Sequence, residues 1–310
     1  MLRAVFCVGA GLLMHISLPN WVRVPLATVL MSVNTLVHVP ILLVVASFKA
    51  VLPVRRIRRV LDSALMAIAE SWIGFNSWMI RTLTHTRIVT DGETRLRSDG
   101  HYLVLANHQS WVDIPMLQLV FNRKIPLLRF FLKQQLFWVP LLGLAWWALD
   151  FPFMKRYSRE TLAKRPELAG RDVEATRRAC EKFRHIPVSV MNFVEGTRFT
   201  RTKHAAQASP FPHLLKPKAG GVAFVLGAMG EALHAILDIT IAYPRGRPTF
   251  GDLFSDRIPE VHIHTRELPI PPELLAGDYQ DDAAFRERFQ SWVNRLWEEK
   301  ETRLQAMLGE

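Results

Sequence analysis

The chain has 310 residues, of which 49% are hydrophobic and 22% are charged. This length allows one large domain or two smaller ones, and the composition is compatible with a well-buried core. The formal net charge of +11 favours an anionic membrane surface, a phosphate-bearing substrate or an acidic carrier protein as partner. No nucleic-acid motif accompanies the basic residues, so nucleic acid is not expected. The only cysteines, Cys7 and Cys180, match no metal or disulfide spacing, which indicates a reducing, cytosol-facing catalytic part.

The N-terminal region has the composition of a membrane anchor. Val24–Phe48 contains no Lys, Arg, Asp or Glu and exceeds the ~20 residues that cross a bilayer. An arginine cluster follows, formed by Arg55, Arg56, Arg58 and Arg59. Because arginines flank the cytoplasmic side, the chain after residue 50 is expected to face the cytoplasm, at the inner membrane in a bacterium. The earlier apolar segment Ala4–Trp21 is interpreted as a second spanning helix or, less well supported because a clear cleavage site is missing, as a signal peptide.

Val60–Leu83 shows helical periodicity, with apolar residues at three- and four-residue intervals. Two interpretations stay open: a helix in the membrane interface, or a helix that packs on the catalytic domain. The predicted organisation is therefore an anchor over residues 1–50, this helix over residues 51–84 and a catalytic domain over residues 85–310.

The rest of the chain alternates between strand and helix patterns, which predicts an α/β fold with a mixed sheet flanked by helices. The predicted strands are Arg87–Thr90, Tyr102–Ala106, Leu127–Leu132, Pro187–Phe193, Ile236–Tyr243 and Val261–Thr265. The predicted helices are Ser110–Phe121, Pro140–Leu149, Arg171–Arg184, Gly221–Gly230 and Asp281–Met307. Arg159–Arg171 and Arg201–Leu214 are predicted to be surface loops. The Trp-rich region Pro126–Leu149 is expected either to wall an acyl chain or enter the interface, or to pack in the core.

The first chemical motif is Asn107–Asp113, which follows an apolar strand. His108 is expected at the strand exit, where open α/β folds bind ligands. Ser110 is a helix-capping residue type, which places Asp113 about one turn into the next helix. A carboxylate on one imidazole nitrogen raises the basicity of the other, so His108 and Asp113 form a candidate base and orienter. The alternative is a polar loop whose His and Asp are merely hydrogen-bonded.

Three further motifs carry cations or glycines. In Phe193–Arg198, Arg198 presents a guanidinium fork that matches phosphate oxygens, and Glu195 is expected to hold that fork. Lys216–Gly221 combines lysines with glycines before a helix, a pattern that suits an anion, although an ordinary basic loop has the same composition. Asp150–Arg156 is predicted to be an apolar strand that ends in two cations.

Together, the four motifs resemble the glycerolipid acyltransferase family, typified by 1-acylglycerol-3-phosphate acyltransferases. The resemblance covers about residues 85–245, and this chain has Val194 where the family usually has proline, a change expected to loosen the turn. The resemblance implies His108 as base and Asp113 as its partner. It also implies a glycerophosphate site, formed by Arg156, Glu195, Gly196, Thr197 and Arg198, with Lys218 as a further phosphate ligand.

The expected reaction moves an acyl group from acyl-CoA or an acyl carrier protein to the hydroxyl of lysophosphatidic acid, with no metal and no resident cofactor. The expected partners are the lysophospholipid acceptor, the acyl donor and the lipid bilayer. Two alternatives stay open: a different lysophospholipid acceptor, or a non-catalytic basic protein of the membrane surface. A serine hydrolase is disfavoured because a Gly-x-Ser-x-Gly elbow is missing.

Overall fold

A computed structural model describes residues 18–92, 94–154, 181, 183 and 186–310. The chain opens with two long helices, α1 (Asn20–Val51) and α2 (Arg55–Leu83), which pack against each other. Helix α1 is long and apolar enough to cross a bilayer. The α1–α2 contact includes polar bonds, because the amide of buried Asn34 donates to Trp72 O at 3.1 Å and to Asn76 Oδ1 at 2.9 Å. These bonds fix the register of the pair.

A mixed six-stranded sheet follows these two helices in the chain. Its strands are β1 (Arg87–Asp91), β2 (His101–Ala106), β3 (Leu128–Phe130), β6 (Val188–Phe193), β7 (Ala235–Ala242) and β8 (Glu260–Leu268). They lie in the order β1-β8-β7-β2-β6-β3. Four strands run parallel to one another: β2, β3, β6 and β7. Strand β8 pairs antiparallel with β7, and β1 pairs parallel with β8. Short strands β4 (Leu132–Lys133) and β5 (Phe153–Met154) form a separate parallel pair.

Helices cover both faces of this sheet, and each face has its own apolar core. One core contains residues of α1, α2, α3 (Asp113–Phe121), α4 (Leu142–Ala148) and α7 (Phe250–Phe254). The other core contains residues of α6 (Ala219–Met229) and α8 (Ala283–Leu308). Strands β2, β6 and β7 are buried between these layers. Because these three strands are neighbours and run parallel, their carboxyl ends are adjacent, and the loops that leave them meet on one edge of the sheet.

The predicted fold class is confirmed, and most predicted elements occur with shifted ends. Two expectations about individual elements were wrong. Arg201–Leu214 is not a loop throughout, because it contains helix α5 (Arg201–Gln207), capped by Thr200, whose hydroxyl accepts from Lys203 N at 3.2 Å. Helix α3 begins at Asp113 and not at Ser110, because the Ser110 and Gln109 amides instead donate to the Asp113 carboxylate.

Several expectations lie outside the described residues: the segment up to His15, most of the Arg171–Arg184 helix, the Arg159–Arg171 loop, and the cations Lys155 and Arg156. Within the described part, the Trp-rich region divides. Trp146 packs against the core, whereas the side chains of Trp138 and Trp147 are 79% and 60% exposed. The core-packing interpretation therefore describes Trp146 but not the other two tryptophans.

Candidate active site

His108 and Asp113 form a buried dyad at the exit of β2. His108 Nδ1 lies 2.8 Å from Asp113 Oδ2, and the Asp113 side chain is fully buried. The same carboxylate oxygen accepts the backbone amides of Gln109 at 2.7 Å and Ser110 at 2.9 Å. The loop is thus wound around the carboxylate, which accounts for the late start of α3. Because Oδ2 only accepts, it holds the proton on Nδ1 and leaves Nε2 as the basic nitrogen.

Ser110 serves as a turn residue and not as the predicted helix cap. Its hydroxyl donates to Pro248 O at 2.6 Å and accepts from Val112 N at 3.0 Å. Because the hydroxyl donates to a backbone carbonyl and not to His108, the imidazole does not activate Ser110 as a nucleophile. The serine hydrolase alternative finds no support in this geometry.

Tyr243, at the exit of β7, occupies the second oxygen of the dyad carboxylate. Its hydroxyl donates to Asp113 Oδ1 at 2.7 Å. Burial and then the nearby Asp113 charge raise the pKa of Tyr243 well above its ordinary value, so the phenol remains a donor. Asp113 therefore accepts hydrogen bonds on both oxygens, which fixes its orientation toward His108. No sequence motif singled out Tyr243, because its partner lies 130 residues away.

Two backbone clamps hold the His108 loop against the sheet. The Asn107 amide donates to Ile241 O and its carbonyl accepts from Ile241 N, both at 2.9 Å. The carbonyl of His108 accepts from Phe199 N at 2.8 Å. The imidazole ring stacks on Phe193, with centroids 3.9 Å apart and planes 12° apart. No described residue hydrogen-bonds to His108 Nε2, so this nitrogen is open to a substrate hydroxyl.

Glu195 lies behind the dyad loop and does not grip the Arg198 fork as expected. It is fully buried, and its Oε1 lies 3.4 Å from the His108 amide. Burial raises the pKa of Glu195 well above its usual value of 4.5, despite the opposing effect of the His108 amide. The guanidinium of Arg198 instead packs over the Trp111 ring, 4.2 Å from its centroid. Glu195 therefore positions the loop, while Trp111 positions Arg198.

The turn after β6 brings the predicted glycine, threonine and lysine together. Gly196 has φ +70°, and an added Cβ would lie 3.3 Å from Lys218 Nζ, so glycine provides both the turn and the space for Lys218. Thr197 Oγ1 accepts from Lys203 Nζ at 2.7 Å. Lys218 is the residue before α6, and α6 starts earlier than predicted, so Gly220 and Gly221 lie inside its first turn. A Cβ on Gly221 would lie 2.8 Å from the Asn192 side chain, which indicates close packing on β6.

Val194, which stands where the family usually has proline, makes two backbone hydrogen bonds in the turn. Its amide donates to Ala106 O at 3.2 Å, and its carbonyl accepts from Lys218 N at 2.9 Å. Proline has no amide N–H, so a proline at this position could not donate to Ala106 O. The expected loosening is therefore offset by a bond between the ends of β2 and β6.

Five of the predicted site residues, His108, Asp113, Thr197, Arg198 and Lys218, thus surround one sheet edge, and Glu195 and Gly196 support it. Arg156 lies outside the described residues. Sequence reasoning missed Trp111, Lys203 and Tyr243. Trp111 lies inside the first motif and Tyr243 immediately after the last strand of the site, but neither position reveals its partner. Among the described residues, no cluster of three His, Cys, Asp or Glu side chains could hold a metal ion.

Comparisons with known proteins place this geometry in a family. A family model described as Acyltransferase matches residues 87–243, half of the chain, and includes both strand exits that carry the dyad and Arg198. The chain belongs to the acyltransferase family, as its motifs indicated.

Relatives of two kinds share this similarity. Lysocardiolipin acyltransferase 1 of Mus musculus is 25% identical over 253 residues, which cover 77% of this chain and 62% of the relative. The protein of that name from Gallus gallus is 33% identical over 132 residues, 39% of this chain and 32% of the relative. The 1-acyl-sn-glycerol-3-phosphate acyltransferase epsilon of Mus musculus is 23% identical over 275 residues, 81% of this chain and 69% of the relative. The chain thus spans less than two thirds of the lysocardiolipin acyltransferases it matches.

A solved structure is similar as well. The crystal structure of the 1-acyl-sn-glycerophosphate acyltransferase PlsC from Thermotoga maritima aligns with a TM-score of 0.47 and 18% identity, over 89% of this chain and 97% of that chain.

Proposed function

We propose that this protein transfers a fatty acyl group from an acyl thioester to the free hydroxyl of 1-acyl-glycerol-3-phosphate, which gives phosphatidic acid. His108 Nε2 removes the proton of the hydroxyl as its oxygen attacks the thioester carbonyl. The tetrahedral intermediate collapses, the carbon–sulfur bond breaks, and the imidazolium returns its proton to the leaving thiolate. The products are an ester and the free thiol of coenzyme A or a carrier protein.

The observation that carries this proposal is the dyad itself. Nδ1 is occupied by a buried carboxylate with hydrogen bonds on both oxygens, and Nε2 is open among the described residues. A non-catalytic lipid-binding protein has no need of this arrangement. Because the attacking group belongs to the acceptor, neither a protein nucleophile nor a resident metal or cofactor takes part in the proposed reaction.

In this proposal the phosphate of the acceptor binds to Arg198, beside Thr197 and Lys218. Arg198 packs over Trp111, which lies three residues after His108 in the sequence. The proposed phosphate ligand and the proposed base are therefore positioned by the same short loop. Arg156 is a further proposed phosphate ligand, on the strength of its motif alone. We further propose that helix α1 anchors the protein to a membrane and that the catalytic domain faces the cytoplasm.

The test is an assay of the purified full-length protein in mixed micelles, with acyl-CoA and acyl carrier protein as donors and product detection by mass spectrometry. His108→Ala is expected to abolish transfer. Asp113→Asn is expected to lower the turnover by up to about 10⁴-fold, since an amide favours the wrong imidazole tautomer. His264→Ala, a surface histidine paired with Asp91, serves as the control. Turnover by His108→Ala at the wild-type rate would overturn the proposal.

A second acceptor class is a lysophospholipid whose phosphate is a diester. The relatives named lysocardiolipin acyltransferase favour it. The same dyad chemistry applies to both classes, so an acceptor panel in the assay above separates them.

A further inference from the structure

Lys203 lies beside Arg198 in the segment that follows the Gly196 turn, and the charges of Arg198 and Lys133 both act on its ammonium group. None of these three cations has a carboxylate within ion-pair distance among the described residues. Arg198 packs on Trp111, and Lys133 is exposed. Burial, followed by the charges of Arg198 and Lys133, lowers the pKa of Lys203. Like charges held in proximity without an acid repel each other, and a bound anion relieves this repulsion.

Lys203 is held in place by the motif that carries Arg198. Its Nζ donates to Thr197 Oγ1 at 2.7 Å and to Arg198 O at 3.1 Å. An ammonium group has three donors, so one remains for a ligand. Its backbone is fixed as well, because its amide donates to the Thr200 hydroxyl at the start of α5. The ammonium is therefore ordered before any ligand arrives.

Building on the proposed function, we propose that Lys203 is a second phosphate ligand and selects acceptors with a phosphate monoester. A monoester carries close to two negative charges near pH 7, whereas the phosphodiester of other lysophospholipids carries one. Arg198 binds one face of the phosphate through its fork, and the Lys203 ammonium neutralises the second charge. A diester lacks that charge and presents a bulky substituent on one oxygen, so it gains much less from the lysine.

The experiment compares two acceptors, 1-acyl-glycerol-3-phosphate and 1-acyl-glycerophosphoglycerol, on the full-length protein. Lys203→Gln is expected to raise the KM for the monoester by at least about tenfold and the KM for the diester by less than about threefold, with kcat little changed. Lys203→Arg is expected to recover part of the monoester KM. The matched control is Arg201→Gln, an exposed cation of the same short helix, expected to change both KM values equally and slightly.

A second measurement keeps the test informative if the variant is unstable. Free sn-glycerol 3-phosphate is added as a competitive inhibitor of acyl transfer, and its inhibition constant is expected to rise in Lys203→Gln but not in Arg201→Gln. Equal losses on both acceptors, or an unchanged inhibition constant, overturn the role of Lys203 while acyl transfer stands. A wild-type preference for the diester overturns it as well. Lack of transfer to every acceptor by the wild type instead contradicts the proposed function.

Discussion

Individual buried carboxyl groups have separate tasks in this site. Asp113 is surrounded by donors and orients the imidazole of His108. Glu195 receives less compensation: its Oε1 makes a long contact, 3.4 Å, with the His108 amide, and no described residue hydrogen-bonds to its Oε2. The two acids, both buried beside the same loop, therefore differ in how well their negative charge is compensated. One carries the charge that the base requires, and the other is destabilised as an anion.

Glu195→Gln tests this assignment through the pH dependence of stability. Because the folded-state pKa of Glu195 is raised, the wild type is expected to lose stability as pH rises from its ordinary value of 4.5 toward the folded-state pKa. A glutamine keeps an acceptor for the His108 amide but does not ionise. The unfolding free energy of the variant, obtained from its thermal melting curve, is therefore expected to exceed that of the wild type by a margin that grows as pH rises from 4.5 toward the folded-state pKa, at most about 1.4 kcal/mol per pH unit.

The control for this measurement is Glu231→Gln, which changes an exposed carboxyl of the same domain. Its melting temperature is expected to follow the wild type across the same range. A gap between Glu195→Gln and the wild type that does not change with pH would show that Glu195 is not destabilised by ionisation.

At the scale of elements, a buried ion cluster joins β7, β8 and α8. Asp238 lies on β7, and its Oδ2 accepts from Arg266 at 2.8 Å and Arg303 at 2.7 Å, while Lys300 Nζ lies 2.5 Å from Oδ1. Although burial opposes ionisation, these cations hold the pKa of Asp238 below its usual value. Burial, opposed by Asp238, lowers the pKa of Lys300 to about 8. The cluster connects α8 to the antiparallel pair of β7 and β8.

The cluster predicts an asymmetry between two substitutions. Asp238→Asn leaves buried cations without their anion and is expected to cost about 3–5 kcal/mol of unfolding free energy. Lys300→Met leaves Asp238 Oδ1 and Ile239 O without their lysine donor, but Asp238 keeps both arginines, so the cost is expected to be smaller, about 1–3 kcal/mol. Denaturant unfolding in micelles measures both values. Equal losses would contradict the view that Asp238 is the centre of the cluster.

In the whole molecule, α1 is tied to the catalytic domain at both ends. Arg23 pairs with Asp256 at 3.1 Å, and Lys49 pairs with Asp150 at 3.3 Å. Since the helix is 32 residues long, these contacts are separated by roughly 40 Å along its axis. The helix and the domain are thus expected to act as one body, so the membrane contact also sets the position of the site.

The start of α2 combines exposed apolar and basic residues beside this helix. Exposed apolar side chains lie at the end of α1 (Val51), just before α2 (Val54) and within α2 (Ile57 and Val60). They are interspersed with the arginine cluster, Arg55, Arg56, Arg58 and Arg59. Cations at a helix N-terminus oppose the helix dipole, so their placement is best explained by an external anion. An anionic lipid surface provides both partners, headgroup charge and an apolar interior.

Replacement of all four clustered arginines by glutamine is therefore expected to weaken binding to vesicles that contain anionic lipid. Each arginine near such a surface contributes about 1 kcal/mol, so the loss for four arginines is expected to approach about a thousandfold at low salt. Flotation with anionic and with zwitterionic vesicles measures this loss. The control replaces four exposed arginines elsewhere, Arg245, Arg286, Arg288 and Arg295. An equal loss in the control would mean that net charge, and not this surface, binds the lipid.

The sequence by itself determined the features that depend on local spacing. Short apolar runs predicted most of the strands, and strand exits followed by His108, Asp113 and Arg198 predicted the edge of the sheet where the chemistry lies. The apolar run of α1 and the family resemblance needed no coordinates either. These properties follow from neighbouring residues, which share one strand, one turn or one helix face.

Only the tertiary structure decided which distant groups meet. β7 lies between β8 and β2, and this order brings Tyr243 to Asp113, and Asn107 to Ile241, across 130 and 134 residues. Arg198 and Glu195 do not pair with each other as expected, because Glu195 is buried behind the dyad loop. Arg198 packs on Trp111 instead, and Glu195 faces the His108 amide. Lys203, on the unpredicted helix α5, contacts Thr197 and Arg198 only in the folded chain. Periodicity records which face of an element is buried, but the strand order and the side chains that fill each contact arise from packing among elements far apart in the chain.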